Sequence, residues 1–215
     1  MRDTRDKEYF DKYADYRTPT DPIVQAYVSP KLELIRSMVP LGPEMSVLDV
    51  GCGNGVFTYW LRRICHTVGV DLSEAMMRRG GEGAWVCGDA AQLPFADNSF
   101  DVVWCANLLH HTDNPGAIIA EMKRTSRAYV VLIEPNRANL PMLLYAALIA
   151  AERRATRFSR AYLAGLVEST GLRVCYHAAC GMITQNRTPR ALIPILRRFD
   201  APNVFGAYQI LIAHL

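Results

Sequence analysis

Apolar positions along residues 45–135 change repeatedly between the pattern of a buried strand and that of an amphipathic helix. The first strand-like run, at 46–50, leads into three glycines, and residues 56–64 then carry apolar side chains at helical spacing. Further strand-like runs in this part of the chain lie at 67–71, 84–87, 100–106 and 128–134. Because strands that alternate with helices form parallel pairs, this pattern predicts a doubly wound α/β sheet.

The chain on either side of this region carries further helix and strand signals. Residues 2–18 place Tyr9 and Tyr16 on one face of an amphipathic helix, which is either packed on the core or a lid over a ligand. Residues 23–38 predict a second helix that is interrupted near Pro30. Later segments predict helices at 158–169 and 191–199, and strands at 172–177 and 205–214.

Residues 140–151 are apolar on every face of a helix. Such a helix is either buried or lines an apolar pocket. The run is about 12 residues long, whereas a bilayer span needs roughly 20, so we expect no membrane span. Together with residues 191–199 it could form an apolar roof over a substrate. Core filling and a homodimer interface are the alternatives.

Composition describes one ordinary globular domain: 215 residues, 50% hydrophobic and 21% charged. The charged residues 1–16 argue against a signal peptide, and six cysteines without a C-x-x-C pair indicate a reducing compartment, so we expect a cytoplasmic protein. Residues 122–215 carry 13 basic and 4 acidic side chains. No basic run is dense or interleaved with aromatic residues, which favours solvated arginines over a nucleic-acid groove.

The turn after the first strand reads D-V-G-C-G-N-G, from Asp49 through Gly51 and Gly53 to Gly55. Glycines let a ligand lie against bare backbone, and the helix start that follows presents free N–H groups to it. The dinucleotide fingerprint is G-x-G-x-x-G, whereas the spacing here is G-x-G-x-G. Because Asp49 would repel a pyrophosphate, the turn favours a ligand with an ammonium or sulfonium group over a nicotinamide dinucleotide.

Two more carboxylates stand at predicted strand ends. Asp71 lies twenty residues after Gly51, the distance at which a βαβ unit brings a carboxylate to the ribose hydroxyls of a nucleotide. A role as helix N-cap is the alternative for Asp71, but Ser73 is better placed for it. Asp89 could accept a hydrogen bond from the exocyclic amine of an adenine, while the N–H of Ala90 reaches a ring nitrogen.

These motifs resemble those of the class I S-adenosylmethionine (SAM) dependent methyltransferases. The resemblance rests on D-x-G-x-G-x-G at 49–55, on G-D-A, L-P-F and F-D within 88–101, and on F-D, Ala and Tyr within 10–16. It implies SAM as cofactor, S-adenosylhomocysteine (SAH) as product, and a three-layer αβα fold. The sheet would have seven strands, mostly parallel, with one antiparallel strand.

The resemblance also implies a set of cofactor-binding residues. In this set the glycines lie against the methionine and ribose portions of SAM, and Asp49 orients the glycine loop or the ammonium group of SAM. The full set is Tyr9, Tyr16, Asp49, Gly51, Cys52, Gly53, Gly55, Asp71, Leu72, Asp89, Ala90 and Asn107.

Asn107, His110 and His111 follow the fourth predicted strand, at the sheet edge where open α/β folds bind ligands. A histidine there could act as a general base at neutral pH. In the family this histidine pair often shapes the pocket without transferring a proton, so His110 and His111 are candidates only. No clustered His, Cys and Asp ligand set is apparent, and we expect no metal.

The expected protein is a single domain, 1–215, with a helical lid at 1–40, a SAM-binding core at 41–135, and cap insertions at 136–160 and 180–203. Its expected function is in-line methyl transfer to a small hydrophobic or amphipathic acceptor. DNA is disfavoured as substrate, because Asn107 is followed by Leu108 and the D/N-P-P-Y tetrapeptide is absent. A methyltransferase of tRNA or protein, and a SAM-binding regulatory protein without turnover, are the alternatives.

Overall fold

The computed structural model describes residues 16–215, which contain one seven-stranded sheet in the order β3-β2-β1-β4-β5-β7-β6. All neighbouring pairs from β3 to β5 are parallel, and β7 runs antiparallel to both β5 and β6. The predicted seven-stranded, mostly parallel sheet is therefore confirmed. The strands are β1 Ser46–Val50, β2 His66–Asp71, β3 Trp85–Cys87, β4 Phe100–Ala106, β5 Ser126–Pro135, β6 Arg173–Cys180 and β7 Tyr208–His214.

Helices cover both faces of this sheet. The α-helices are α1 Pro22–Arg36, α2 Val56–Leu61, α3 Glu74–Arg79, α4 Pro115–Thr125, α5 Leu140–Leu148, α6 Arg160–Ser169 and α7 Ile193–Leu196. Short 3₁₀ helices lie at Leu109–His111, Ala150–Arg157, Arg190–Leu192 and Arg197–Phe199. No helix within residues 16–215 is long and apolar enough to cross a membrane.

Alternating side chains of the strands divide the core into two layers. Val102 and Trp104 of β4 pack with α1 and α2 on one face of the sheet. Val103 and Cys105, the alternate residues, pack with α4 and α6 on the other face. Because β4 is buried on both sides, its sequence is a nearly continuous apolar run, as expected for a central parallel strand.

Helix α1 runs without interruption through Pro30, so the predicted break there is wrong. Proline costs about 3 kcal/mol inside a helix because it lacks an N–H group and crowds the preceding turn. Ile23 and Ile35, on either side of Pro30, are both fully buried against the sheet. This burial holds both halves of the helix in line and outweighs the local cost.

The apolar segment 140–151 is not buried on all faces. Helix α5 ends at Leu148, and Leu140, Leu144 and Leu148 are 62%, 55% and 80% exposed. The opposite face of α5, with Met142, lines a cavity. Of the two predicted roles, lining a pocket therefore holds for one face of the helix, and full burial is wrong.

Candidate active site

A cavity of about 530 Å³ opens at the carboxyl ends of the parallel strands. Its floor is built by the segments that directly follow β1, β2, β3 and β4, which converge there because parallel strands end at the same sheet edge. Its opposite wall comes from α5 and residues 182–187. The size lies within the range of pockets that bind small ligands, about 300–1,000 Å³.

The glycine turn after β1 needs its glycines for two different reasons. Gly51, Gly53 and Gly55 have φ angles of 69°, 53° and 74°, a region that favours glycine. A Cβ at Gly51 would lie 2.7 Å from the Leu108 side chain, and one at Gly55 would lie 2.5 Å from the Trp85 ring. Gly51 and Gly53 line the cavity, whereas Gly55 is outside its lining. Gly55 thus serves packing.

Asp71 joins the glycine turn to the end of β2. Its Oδ2 accepts a hydrogen bond from the N–H of Gly53 at 2.8 Å, and its Oδ1 accepts one from the N–H of Ser73 at 2.8 Å. Ser73 in turn caps α3, as predicted, since its hydroxyl accepts from the N–H of Met76. Asp71 lines the cavity. A carboxylate oxygen can accept more than one hydrogen bond, so the residue type suits a vicinal diol.

Asp49 lies beneath the turn and is almost fully buried, yet it also lines the cavity. Its Oδ2 accepts a hydrogen bond from the Thr58 hydroxyl at 2.6 Å. Burial, and secondarily the charge of Asp71, raise the pKa of Asp49 to about 7. A buried carboxylate without a cation is unfavourable, and a positively charged ligand in the cavity would relieve this cost.

Replacing Asp49 with asparagine is expected to stabilise the ligand-free protein at pH 8. Because the pKa of Asp49 is higher in the folded than in the unfolded state, the wild type loses stability as pH rises from about 4 to about 7. The stability advantage of Asp49→Asn should therefore grow over this range and then level off. We expect about 1 kcal/mol at pH 8, or roughly 2–4 °C in Tm, measured by thermal denaturation across pH.

An Asp97→Asn variant, which changes a mostly exposed carboxyl, serves as the control. Its stability relative to the wild type should not increase as pH rises. A stability advantage of Asp49→Asn that is equal at pH 5 and pH 8 would contradict the assignment.

The other predicted cofactor residues lie around the same cavity. Asp89 follows β3, and its Oδ1 accepts a hydrogen bond from the N–H of Ala91 at 2.9 Å. Asn107 has a φ of 57°, and its Nδ2 donates to the Tyr27 hydroxyl at 2.9 Å. Also lining the cavity are Tyr16, Cys52, Leu72 and Ala90. Tyr9 lies outside the described residues.

The histidine pair after β4 belongs to a buried network that the sequence did not predict. His110 Nδ1 lies 2.6 Å from Glu134 Oε2, and His110 Nε2 lies 3.2 Å from Glu152 Oε2. Glu134 is fully buried at the end of β5. Its Oε1 also accepts hydrogen bonds from the N–H groups of Leu108 and Leu109. The carboxylate thus fixes the start of the 3₁₀ turn that carries the histidines.

The two histidines have opposite pKa shifts. Burial lowers the pKa of His110, but the carboxylates of Glu134 and Glu152 outweigh this effect and raise it to about 9. Burial, followed by the charge of His110, lowers the pKa of His111 to about 3. Both ring nitrogens of His110 face carboxylates. These contacts do not test proton transfer, and a base role for His110 or His111 stays a prediction.

Glu134 and Glu152 are the residues that sequence reasoning missed. Glu134 could have been found from the sequence, because it ends the predicted apolar strand at 128–134. In the structure this strand pairs with β4, with Ile133 opposite Ala106. Glu152 could not have been found, because it reaches the site from the 3₁₀ helix Ala150–Arg157, about forty residues after His110. No clustered His, Cys and Asp ligand set was apparent from the sequence, whereas the structure brings His110, His111 and Glu152 together.

Comparison with known proteins agrees with this geometry. Residues 48–133, which run from β1 to β5, match the model of the methyltransferase domain family. This match and the shared fold support a class I SAM-dependent methyltransferase family for the chain. SAM is the cofactor that this family implies.

Individual relatives match this chain over part of their length. The 27-O-demethylrifamycin SV methyltransferase of Amycolatopsis mediterranei is 30% identical over 43% of this chain and 39% of its own. The demethylmenaquinone methyltransferase of Roseiflexus sp. is 37% identical over 45% of each chain. The chain thus spans less than half the length of these relatives. A SAM-dependent methyltransferase from Thermotoga maritima shares the fold, with a TM-score of 0.68, 19% identity and coverage of 89% and 91%.

Proposed function

We propose that this protein transfers a methyl group from SAM to a small hydrophobic or amphipathic acceptor. The observation that carries the proposal is the continuity of the cavity. Two carboxylates, Asp49 and Asp71, and the glycine turn form one end, and apolar side chains of α5 form a wall of the same space. A cationic, ribose-bearing cofactor and an apolar acceptor would therefore meet inside one cavity.

The cofactor end of the cavity fits SAM by its donor and acceptor chemistry. Asp71 offers acceptors for a vicinal diol, and Asp49 offers a buried negative charge for a cationic group. Gly51 and Gly53 line this part of the cavity, so a ligand there would lie against the glycine turn. Asp89 and Ala90 line the same cavity and would bind the adenine. When bound, SAM supplies an electrophilic methyl group on a sulfonium that leaves as a neutral thioether.

The chain's own contribution to the reaction is positioning. Holding an acceptor atom in line with the methyl group can supply on the order of 7–11 kcal/mol of the barrier. The walls of the cavity also exclude water from the reacting groups. No strong general base is required for this contribution, which agrees with the buried, ion-paired state of His110.

The acceptor end favours an apolar or amphipathic molecule. Pro141, Met142 and Tyr145 of α5 line it together with Met182, and Arg187 lies 5.7 Å from the Tyr145 ring centre. This mixture suits a molecule with an apolar body and a polar group. Two of the relatives, a demethylrifamycin and a demethylmenaquinone methyltransferase by name, support an acceptor of this type.

The test begins with calorimetric titration of SAM, SAH and NAD⁺ into the protein. We expect micromolar SAM or SAH binding and no NAD⁺ binding. An acceptor screen would then follow SAH release by mass spectrometry, using quinols, phenols and macrocycles, with bulk tRNA and protein as further pools. SAM binding without turnover on any pool would favour a regulatory protein, and NAD⁺ binding would refute the proposal.

Truncating Met142 to alanine is expected to raise KM for the acceptor about tenfold, because about 1.4 kcal/mol of apolar contact is lost. The KM for SAM should stay within about twofold. Leu144→Ala is the matched control, since Leu144 lies on the exposed face of the same helix and is absent from the cavity lining. Steady-state kinetics with an acceptor from the screen measures both. Equal effects of the two variants would refute a role of α5 in acceptor binding.

A further inference from the structure

His110, His111 and Glu152 form a compact group at the cavity wall. One ligand atom from each residue lies within 4.8 Å of those of the other two, and all three residues line the cavity. The imidazole rings of His110 and His111 are 4.0 Å apart between centres. Two imidazoles and a carboxylate are the donors found in His₂Glu zinc sites and in the two-histidine, one-carboxylate sites of other transition metals.

The orientation of His110 matches that of a metal ligand. Its Nδ1 is bonded to the fully buried Glu134, which leaves Nε2 directed towards Glu152. Metal-binding histidines almost always donate their second N–H group to a carboxylate or carbonyl in this way, which fixes the tautomer and the ring. Glu134 is itself held by two backbone N–H groups, so the arrangement is rigid before any ion binds.

The charge of the group also favours a divalent cation. Two carboxyl groups, of Glu134 and Glu152, lie against the His110 ring in a mostly buried place. A divalent ion at Nε2 of His110 would be attracted by both. Among neighbouring cations, Arg154 is already paired with Asp113 at 2.8 Å, and Arg187 lines the cavity near Glu152.

We propose that His110, His111 and Glu152 bind a divalent transition metal ion such as Zn²⁺, with Glu134 as the positioning residue behind His110. Ligand atoms around a tetrahedral Zn²⁺ lie about 3.4 Å apart, given bonds of about 2.0–2.1 Å. His110 Nε2 and Glu152 Oε2 are already 3.2 Å apart. The ligand atom of His111 lies within 4.8 Å of both and would move closer to complete the set. Two imidazoles make Mg²⁺ and Ca²⁺ poor candidates, because both prefer oxygen ligands.

Three protein ligands leave a coordination position open, as in catalytic metal sites. Because the group lines the cavity, an alcohol or phenol of the acceptor could occupy this position. A bound metal stabilises the oxygen anion, so the hydroxyl proton would pass to bulk water and leave a nucleophilic oxygen. This part of the proposal rests on the proposed methyltransferase function and specifies an oxygen acceptor, whereas metal binding does not depend on it.

The experiment uses the tag-free protein, stripped with a chelator and titrated with Co²⁺ as a spectroscopic probe and with Zn²⁺ by equilibrium dialysis. We expect one tightly bound equivalent and a visible Co²⁺ spectrum without thiolate charge transfer. His111→Ala and Glu152→Gln should each weaken binding at least tenfold, and Glu134→Gln about 10–100-fold, the usual effect of losing such a second contact. His66→Ala, which changes an exposed histidine, should bind like the wild type.

Circular dichroism establishes that each variant is folded. Absence of bound metal in the wild type, or unchanged binding in His111→Ala and Glu152→Gln, would overturn the proposal. So would a thiolate spectrum that disappears in a Cys87→Ser, Cys175→Ser variant, since both cysteines are exposed. SAM titration of the same samples keeps the two proposals apart. SAM binding without metal would refute only the metal site, and metal binding without SAM would refute only the methyltransferase function.

Discussion

Replacing Asp71 with alanine is expected to weaken SAM and SAH binding at least 100-fold. Hydrogen bonds to a charged group are worth about 1.5–3 kcal/mol each, and a vicinal diol would lose two of them. The substitution also removes the bonds that tie the Gly53 and Ser73 N–H groups to the end of β2, so the glycine turn loses its support. Calorimetric titration of both ligands, at one salt concentration, measures the change.

Asp97→Ala is the matched control for Asp71, because the side chain of Asp97 is 69% exposed and Asp97 is absent from the cavity lining. Its affinity for SAM should equal that of the wild type. An Asp71→Asn variant separates charge from shape, and we expect an intermediate loss. A change of less than about threefold in Asp71→Ala would show that the ribose is bound elsewhere.

Replacing Glu134 with alanine is expected to lower the free energy of unfolding by about 3–5 kcal/mol. Removing one member of a buried ion pair leaves the charge of His110 without its nearest partner, and such losses lie in this range. The N–H groups of Leu108 and Leu109 also lose their acceptor. Urea denaturation at pH 7, analysed by linear extrapolation, measures the change.

Two further variants test the physical reason for this loss. Glu134→Gln keeps an oxygen for the two backbone N–H groups but removes the charge, so it should destabilise the protein less than alanine does. Glu168→Ala, at an exposed position of α6, should change stability by no more than about 0.5 kcal/mol. If Glu134→Ala and Glu168→Ala had equal effects, the network around His110 would have no stabilising role.

The glycine turn was predictable from sequence because its signals are local. An apolar strand, three glycines and a helix start occupy adjacent positions, and backbone geometry alone brings them together. The structure gives positive φ angles to all three glycines, and Asp71 is within hydrogen-bond distance of Gly53. The bounds of β4 were predicted to the residue. Its apolar run is bounded by turn residues on both sides.

Predictions failed where a distant part of the chain decides the outcome. Pro30 predicted a helix break, but burial of Ile23 and Ile35 against the sheet preserves α1. The apolar segment 140–151 predicted a helix that is either buried or lines a pocket, but the sequence did not indicate which face of the helix would line the cavity. The network of His110 with Glu134 and Glu152 joins three separate segments.

The sequence by itself determined the alternation of strands and helices and the glycine turn, because both depend on apolar spacing and backbone geometry between near neighbours in the chain. Tertiary structure alone decided which carboxylates surround His110, which face of α5 lines the cavity, and whether a metal ligand set exists. These features depend on contacts across 20 to 40 residues of chain, and sequence spacing carries no information on such distances until the sheet has formed.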